Sequence, residues 1–107
     1  MDIEYENSIL FVRLEGSLDR KGTYRINNYL ISLLKKHSIK YLICNLSNLK
    51  NIDILGMEAL VNLKCIIKNN KGKMYLCGIN SRIEKYLKPL KIQKVDNEFL
   101  AVEMLGA

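Results

Sequence analysis

The chain carries an uninterrupted apolar run at Tyr41-Leu42-Ile43-Cys44. A strand with one face in water alternates apolar and polar residues, whereas a strand covered on both faces loses that alternation. The run therefore predicts a strand that is buried on both sides. A second run of this kind, from Met74 to Cys77, follows further along the chain. Buried strands separated by helices are typical of a parallel sheet, whose crossover connections carry the helices.

Apolar residues at helical spacing lie before, between and after these runs. Ile26, Leu30 and Leu34 mark one helix face before the first run, and Leu60 and Leu63 belong to another face between the two runs. The predicted elements are strands at 3–6 and 9–14, a helix at about 23–36, a strand at 41–44, a helix after Asp53, a strand at 74–77, a helix that Ser81 precedes and Pro89 ends, a strand at 92–95 and a last helix capped by Asp96.

This order predicts one α/β domain that spans residues 1–107. Strands that alternate with helices of this length form mainly parallel sheets with right-handed crossovers. We therefore expect a sheet of four to five strands with an opening hairpin around Asn7-Ser8, together with about four helices. A mass of 12.4 kDa suits a single core rather than two.

The composition excludes several classes of protein. Hydrophobic residues make up 49% of the chain and charged residues 26%, which is typical of a soluble globular domain rather than a disordered tail. The apolar runs are much shorter than the roughly 18–20 residues of a membrane-spanning helix. Acidic residues stand near the amino terminus in place of the apolar segment of a signal peptide. We therefore expect a cytoplasmic protein.

The formal net charge is +6, and the charges are unevenly placed along the chain. Residues 1–19 hold five acidic side chains against Arg13 alone, whereas residues 64–94 hold nine basic side chains against Glu84 alone. Such a lysine-rich segment predicts either a solvated surface or a site for nucleic acid or anionic lipid. Nucleic-acid surfaces usually add arginine or exposed aromatic residues. This segment has one arginine, and Tyr86 falls on a predicted buried stripe, so the solvated surface is favoured.

The three cysteines, Cys44, Cys65 and Cys77, have apolar neighbours and no C-x-x-C spacing. This setting predicts three buried thiols that behave as small apolar side chains. The single histidine, His37, stands at the end of a predicted helix beside two lysines. We therefore predict no metal site, no redox site and no cofactor, and reduced cysteines agree with a cytoplasmic location.

Two acidic residues, Asp19 and Asp53, follow predicted strands and precede predicted helices. If these strands are parallel neighbours, both carboxylates emerge at the edge of the sheet where α/β proteins place their functional loops. Paired carboxylates predict a general acid–base pair, a divalent-metal site or two helix caps. No third ligand or nucleophile accompanies them, and the glycine motifs of nucleotide-binding proteins and hydrolases are absent. The sequence therefore favours two caps and no enzymatic activity.

Several short segments together resemble the STAS domain, the fold of the bacterial anti-sigma-factor antagonist (SpoIIAA-like) family. Residues 12–19 are similar to the strand and G-x-L-D loop that open this domain, and residues 39–49 are similar to its central strand and following turn. Residues 52–57 read Ile-Asp-Ile-Leu-Gly-Met where the family has a D-S-S/T-G motif, and residues 71–78 fit the next strand. The resemblance covers nearly the whole chain.

The resemblance implies a regulatory, protein-binding role. In the family, a partner kinase that is also the anti-sigma factor phosphorylates the serine or threonine directly before the motif glycine, and this breaks their complex. Here Leu55 occupies that position and Ile54 precedes it, so neither side chain can accept a phosphate. The degenerate motif implies either an antagonist-like module without this switch or a divergent domain with another partner. Ser47 and Thr23 stay open as other phosphorylation sites.

Apolar side chains crowd this motif, and the sequence leaves their orientation open. If at least two of them face the solvent, they form an interaction patch. Alternatively, Ile54 and Leu55 pack beneath neighbouring loops. We expect an anti-sigma factor or serine-kinase-type partner to bind at Asp19, Asp53, Ile54, Leu55, Gly56 and Met57.

Overall fold

The two apolar runs lie in the centre of a five-stranded sheet. The computed structural model describes residues 1–106. Its strands are β1 (Asp2–Glu6), β2 (Ile9–Leu18), β3 (Tyr41–Ile52), β4 (Lys73–Cys77) and β5 (Gln93–Val95). They lie side by side in chain order. β1 is antiparallel to β2 and each later pair is parallel, which confirms the predicted α/β fold with its opening hairpin.

Helices connect the parallel strands. The first helical region runs without a break and consists of α1 (Arg20–Arg25), a π-helical stretch (Ile26–Leu30) and α2 (Ile31–Lys36). It is followed by α3 (Ile54–Asn69), α4 (Glu84–Leu87) and α5 (Glu98–Met104). Within residues 1–106, none of these helices has the length and apolar character that crossing a membrane requires.

Alternate side chains of the central strands enter two separate cores. Leu10 and Val12 of β2 pack with residues of the π-helical stretch, α2, α3 and α4 on one face of the sheet. Ile9 and Phe11 of the same strand pack on the opposite face, where α5 contributes Ala101. Because helices cover both faces, the strand sequences show apolar runs instead of alternation.

One arginine ties α5 to the sheet. The Arg13 guanidinium donates from Nε and Nη2 to the two carboxylate oxygens of Glu98, both at 2.8 Å. Its Nη1 donates to Asp2 at 3.1 Å and to Glu4 at 2.9 Å, and the Asn45 side-chain amide donates to Glu98 at 2.8 Å. The hydrogen bonds from Arg13, with that from Asn45, hold the pKa of Glu98 below its usual range. The cluster thereby joins β1, β2 and β3 to α5.

Several predicted boundaries are wrong. β2 and β3 extend to Leu18 and Ile52, through residues predicted to form loops. Their parallel pairing continues past two irregularities in register, which a single segment of sequence does not reveal. The first helix begins at Arg20 rather than near Thr23, because the side chain of Asp19 caps it there.

Two helices begin with polar residues other than those predicted. Asn97, rather than Asp96, caps α5, since its side chain accepts a backbone N–H from the first turn of that helix. Ser81 does not begin a helix. α4 starts at Glu84, after a turn in which the Asn80 carbonyl accepts the Glu84 N–H at 3.2 Å.

Two residues predicted to be buried are exposed. Cys65 lies on the outer side of α3, and the Tyr86 side chain in α4 is 39% exposed. Each has an apolar neighbour in the sequence but lies away from the inward-facing stripe of its helix. Cys44 and Cys77 are buried, as predicted.

We expect Glu98→Gln to lower the free energy of unfolding at neutral pH by about 1–2 kcal/mol, because it removes a charge-assisted and partly buried pair. The pKa of Glu98 is lower in the folded protein than its unfolded value of about 4.3. The stabilisation is therefore present above that unfolded value and is lost as the pH falls through the folded pKa. Urea denaturation at a series of pH values measures the difference from the wild type, which should shrink in acid.

The matched control is Glu103→Gln, which changes an exposed carboxylate on the same helix. It should alter the free energy of unfolding by less than about 0.5 kcal/mol. An equal loss in both variants, or a loss in Glu98→Gln that does not depend on pH, contradicts the role assigned to this cluster.

Candidate functional site

The carboxyl ends of β2 and β3 lie side by side and bring the two predicted acidic residues to one edge of the sheet. Leu18 is the register partner of Ile52, and the Asp53 N–H donates to the Leu18 carbonyl oxygen at 3.3 Å. Asp19 and Asp53 therefore begin neighbouring helices at the edge where functional loops of α/β proteins usually lie.

Both carboxylates cap helices. The Asp19 side chain accepts the N–H groups of Lys21 and Gly22 at 3.0 and 3.2 Å, and the Asp53 side chain accepts the Gly56 N–H at 2.9 Å. Each carboxylate satisfies backbone donors and faces the positive end of its helix dipole, so the capping interpretation is confirmed. Within residues 1–106, no three His, Cys, Asp or Glu side chains are grouped so as to hold a metal ion.

The buried cysteines offer no reactive thiolate. Burial raises the pKa of Cys44 to about 12 and that of Cys77 to about 11. Both side chains are therefore protonated at neutral pH. Because the thiolate is the nucleophile and the metal ligand, these two residues act as core side chains.

Gly56 brings the start of α3 against the end of β2. The residue is buried, and a Cβ atom at this position would collide with the Leu18 carbonyl oxygen and lie 2.8 Å from the Ile52 side chain. Glycine is therefore required by the close approach of the backbones. Ile52 is itself buried, and Met57 packs against the larger core.

Ile54 and Leu55 face the solvent. Their exposed fractions are 66% and 40%, respectively, which decides between the two orientations that the sequence leaves open. The outer side of the same helix continues with Val61, which is 38% exposed, and with the exposed thiol of Cys65. Ile54, Val61 and Cys65 are seven and four positions apart, close to whole helical turns, and therefore share one side of α3, with Leu55 adjacent to Ile54 at the start of the helix. We call Ile54, Leu55, Val61 and Cys65 the α3 apolar face.

Sequence reasoning missed part of this surface. Val61 and Cys65 stand among inward-facing residues in the sequence, but a helical projection anchored on Leu60 and Leu63 places them outside. Tyr24 was also missed. It is 68% exposed on α1, the helix that packs beside α3.

The two alternative hydroxyl groups differ in accessibility. Ser47 is exposed and lines a cleft of about 560 Å³ at the carboxyl edge of the sheet. Thr23 is buried, and its hydroxyl donates to the Arg20 carbonyl at 3.0 Å. Ser47 is therefore the accessible one of the two candidates for phosphorylation.

Comparison with known proteins identifies the family. The STAS domain model matches residues 1–104, and the chain belongs to this family. The anti-sigma F factor antagonist of Paenibacillus polymyxa is 23% identical over 109 residues, with 98% of this chain and 93% of that protein covered. The predicted resemblance to anti-sigma-factor antagonists is confirmed.

Solved structures share the fold at low sequence identity. The anti-sigma factor antagonist SpoIIAA in its unphosphorylated form is 17% identical with a TM-score of 0.82, covering 99% of this chain and 97% of its own. The RsbS protein of Moorella thermoacetica is 17% identical with a TM-score of 0.83, covering 98% and 93%. A Thermotoga maritima protein is 14% identical with a TM-score of 0.91, covering 99% and 94%.

We expect Gly56→Ala to lower the free energy of unfolding by about 2–4 kcal/mol, because the added methyl group forces α3 away from the end of β2. Urea denaturation measures the change. Glu58→Ala, at an exposed position of the same helix, should alter stability by less than about 0.5 kcal/mol. A Gly56→Ala protein as stable as the wild type would contradict the close contact with the Leu18 carbonyl.

Proposed function

We propose that the protein is a non-enzymatic regulator that binds a protein partner through the α3 apolar face. The observation that carries this proposal is the exposure of Ile54 and Leu55 at the family motif, at 66% and 40%. Clustered apolar side chains on a monomer surface are typical of interaction sites. The Paenibacillus relative is an anti-sigma F factor antagonist, which supports an anti-sigma factor of the serine-kinase type as the partner.

The other predicted site residues hold this surface in place. Asp19 and Asp53 cap the two neighbouring helices, and Gly56 sets the position of α3 against β2. Met57 anchors the first turn of α3 in the core. We propose that these four residues position the surface while Ile54 and Leu55 contact the partner. A cytoplasmic location accords with a partner that controls transcription.

We further propose that phosphorylation at the motif does not regulate this complex. SpoIIAA has been solved in an unphosphorylated and a phosphorylated form, whereas Leu55 offers no hydroxyl at the motif position. A phosphate on residue 55 would place roughly two negative charges at the centre of an apolar contact. Without it, the amounts of the two proteins determine how much complex forms.

The alternative function, binding of nucleic acid or anionic lipid by the lysine-rich residues 64–94, stays a prediction. This segment carries a net positive charge. Its one exposed large aromatic side chain is Tyr86, which is 39% exposed and lies beside the Lys85 ammonium. Base-stacking surfaces usually combine several such residues. Protein binding is therefore our first proposal.

We expect Leu55→Asp to weaken binding of the anti-sigma factor about tenfold or more, because it places a charge in an apolar contact. The folded protein should keep its melting temperature within about 3 °C, since the residue is exposed and the helix dipole favours an acid at this end. Isothermal titration calorimetry with the partner recovered from native extract measures the affinity, and differential scanning calorimetry measures the stability.

Leu100→Asp is the matched control for this experiment. Leu100 has a similar exposed fraction, 37%, but lies on α5, which packs on the opposite face of the sheet. It should leave the affinity unchanged within about twofold. A large stability loss in Leu55→Asp would show that Leu55 belongs to the core, and equal weakening by both variants would contradict the assigned surface.

Restoring a hydroxyl group at position 55 tests whether its loss is what prevents regulation of the complex by phosphorylation at the motif. We expect the kinase partner and ATP to phosphorylate Leu55→Ser at residue 55 and to release it, while Leu55→Ala stays unmodified and its affinity for the partner does not change when ATP is added. Peptide mapping by mass spectrometry locates the phosphate. Phosphorylation of the wild type at Ser47 that dissolves the complex would contradict the proposal that the amounts of the two proteins alone determine how much complex forms.

A further inference from the structure

Four lysines converge on one groove at the amino edge of the sheet. The groove has a volume of about 390 Å³ and lies between α3, the start of β4 and the segment before β5. Lys64 and Lys68 belong to α3, Lys73 is the first residue of β4, and Lys91 precedes β5. Among the described residues, no Asp or Glu lines it. We call these four residues the lysine groove.

The positive charge of the lysine groove is not neutralised by carboxylates. The ion pairs found within residues 1–106 involve one arginine and the amino terminus, and none involves a lysine. Glu84 is the single acidic residue between positions 64 and 94. The negative end of the α3 dipole explains why a positive charge is favourable at Lys68, in the last turn of that helix. The dipole does not explain the positive charges of Lys73 and Lys91, because both residues lie outside helices.

Hydrogen bonds hold the walls of the groove in place. The Lys64 ammonium donates to the Lys91 carbonyl oxygen and joins the two walls. At the rim, the Lys73 N–H donates to the Lys40 carbonyl at 2.8 Å. Gly72 is required beside it, because a Cβ atom there would collide with the same carbonyl oxygen. A groove formed in advance loses less conformational entropy when a ligand binds.

The groups that line the groove define the ligand. Ammonium groups bind phosphate oxygens through charge-assisted hydrogen bonds, and four of them offer more charge than a single phosphate requires. The aromatic lining residue, Tyr75, is 3% exposed and cannot stack on a base. Ile67 and Met74 are also buried, so they do not insert into a bilayer. We propose that the lysine groove binds a small anion that carries two or more phosphate groups.

The lysine groove lies beside Cys65, at the far end of the α3 apolar face from Ile54 and Leu55, the two residues proposed to contact the partner. Leu55 and Lys68 are 13 positions apart on one helix, which corresponds to about 20 Å at a rise of about 1.5 Å per residue. Loss of phosphate binding should therefore leave binding of the protein partner unchanged. The failure of either proposal is thus distinguishable from the failure of the other.

Calorimetric titration with sodium tripolyphosphate at low salt tests the proposal. We expect the double variant Lys68→Gln/Lys91→Gln to bind about tenfold or more weakly than the wild type, because two charge-assisted contacts are lost. This variant keeps Lys64 and the carbonyl of residue 91, so the contact between the walls is retained. The control Lys35→Gln/Lys36→Gln removes the same charge from exposed positions of α2 and should change the affinity less than about twofold.

Orthophosphate is the second probe and should bind at least about tenfold more weakly than tripolyphosphate, because it engages fewer of the lysines. Equal affinity for the two anions overturns the requirement for more than one phosphate. Equal weakening in both double variants assigns the binding to net charge alone and also overturns the proposal.

Two macromolecular probes complete the experiment, namely vesicles that contain phosphatidylglycerol and a short single-stranded DNA. If the wild type binds no tripolyphosphate, the proposal fails whatever these probes show. Binding of vesicles or DNA that is lost in Lys68→Gln/Lys91→Gln would in that case assign the lysine groove to a membrane or to nucleic acid.

Discussion

The close approach of Gly56 to the Leu18 carbonyl oxygen fixes the arrangement of the whole carboxyl edge of the sheet. It allows the first turn of α3 to pack against the end of β2, beside the hydrogen bond from the Asp53 N–H to the same carbonyl. With this contact in place, Met57 packs against the core and the residues before the glycine turn outward. The exposure of Leu55 is therefore a consequence of backbone packing that no side chain at position 56 other than hydrogen permits.

The central part of the fold was predictable because the burial of a strand determines which residue types its sequence contains. A strand covered on both faces is apolar throughout, so the apolar runs Tyr41–Cys44 and Met74–Cys77 predicted buried central strands. The capping roles of Asp19 and Asp53 were likewise local, since each acts on the turn that follows it. The extension of β2 and β3 was not predictable, because it depends on pairing between segments that are about 34 positions apart.

The surface sites depended more strongly on long-range contacts. The sequence showed which apolar residues crowd the motif, but the rotation of α3 follows from its contact with Leu18, far away in the chain. Nine basic residues between positions 64 and 94 were visible in the sequence. That four lysines line one groove follows from the parallel order of β4 and β5 and from the end of α3 that packs beside them.

The distribution of the three cysteines has a practical consequence. Two of them are sealed in the cores as protonated thiols, whereas Cys65 lies on the outer side of α3. Thiol-directed reagents reach exposed cysteines and not those enclosed in a core. The native chain therefore offers one position for a fluorescent or spin label, on the side of the helix proposed to meet the partner. Occupancy of that side becomes measurable by spectroscopy without any engineered substitution.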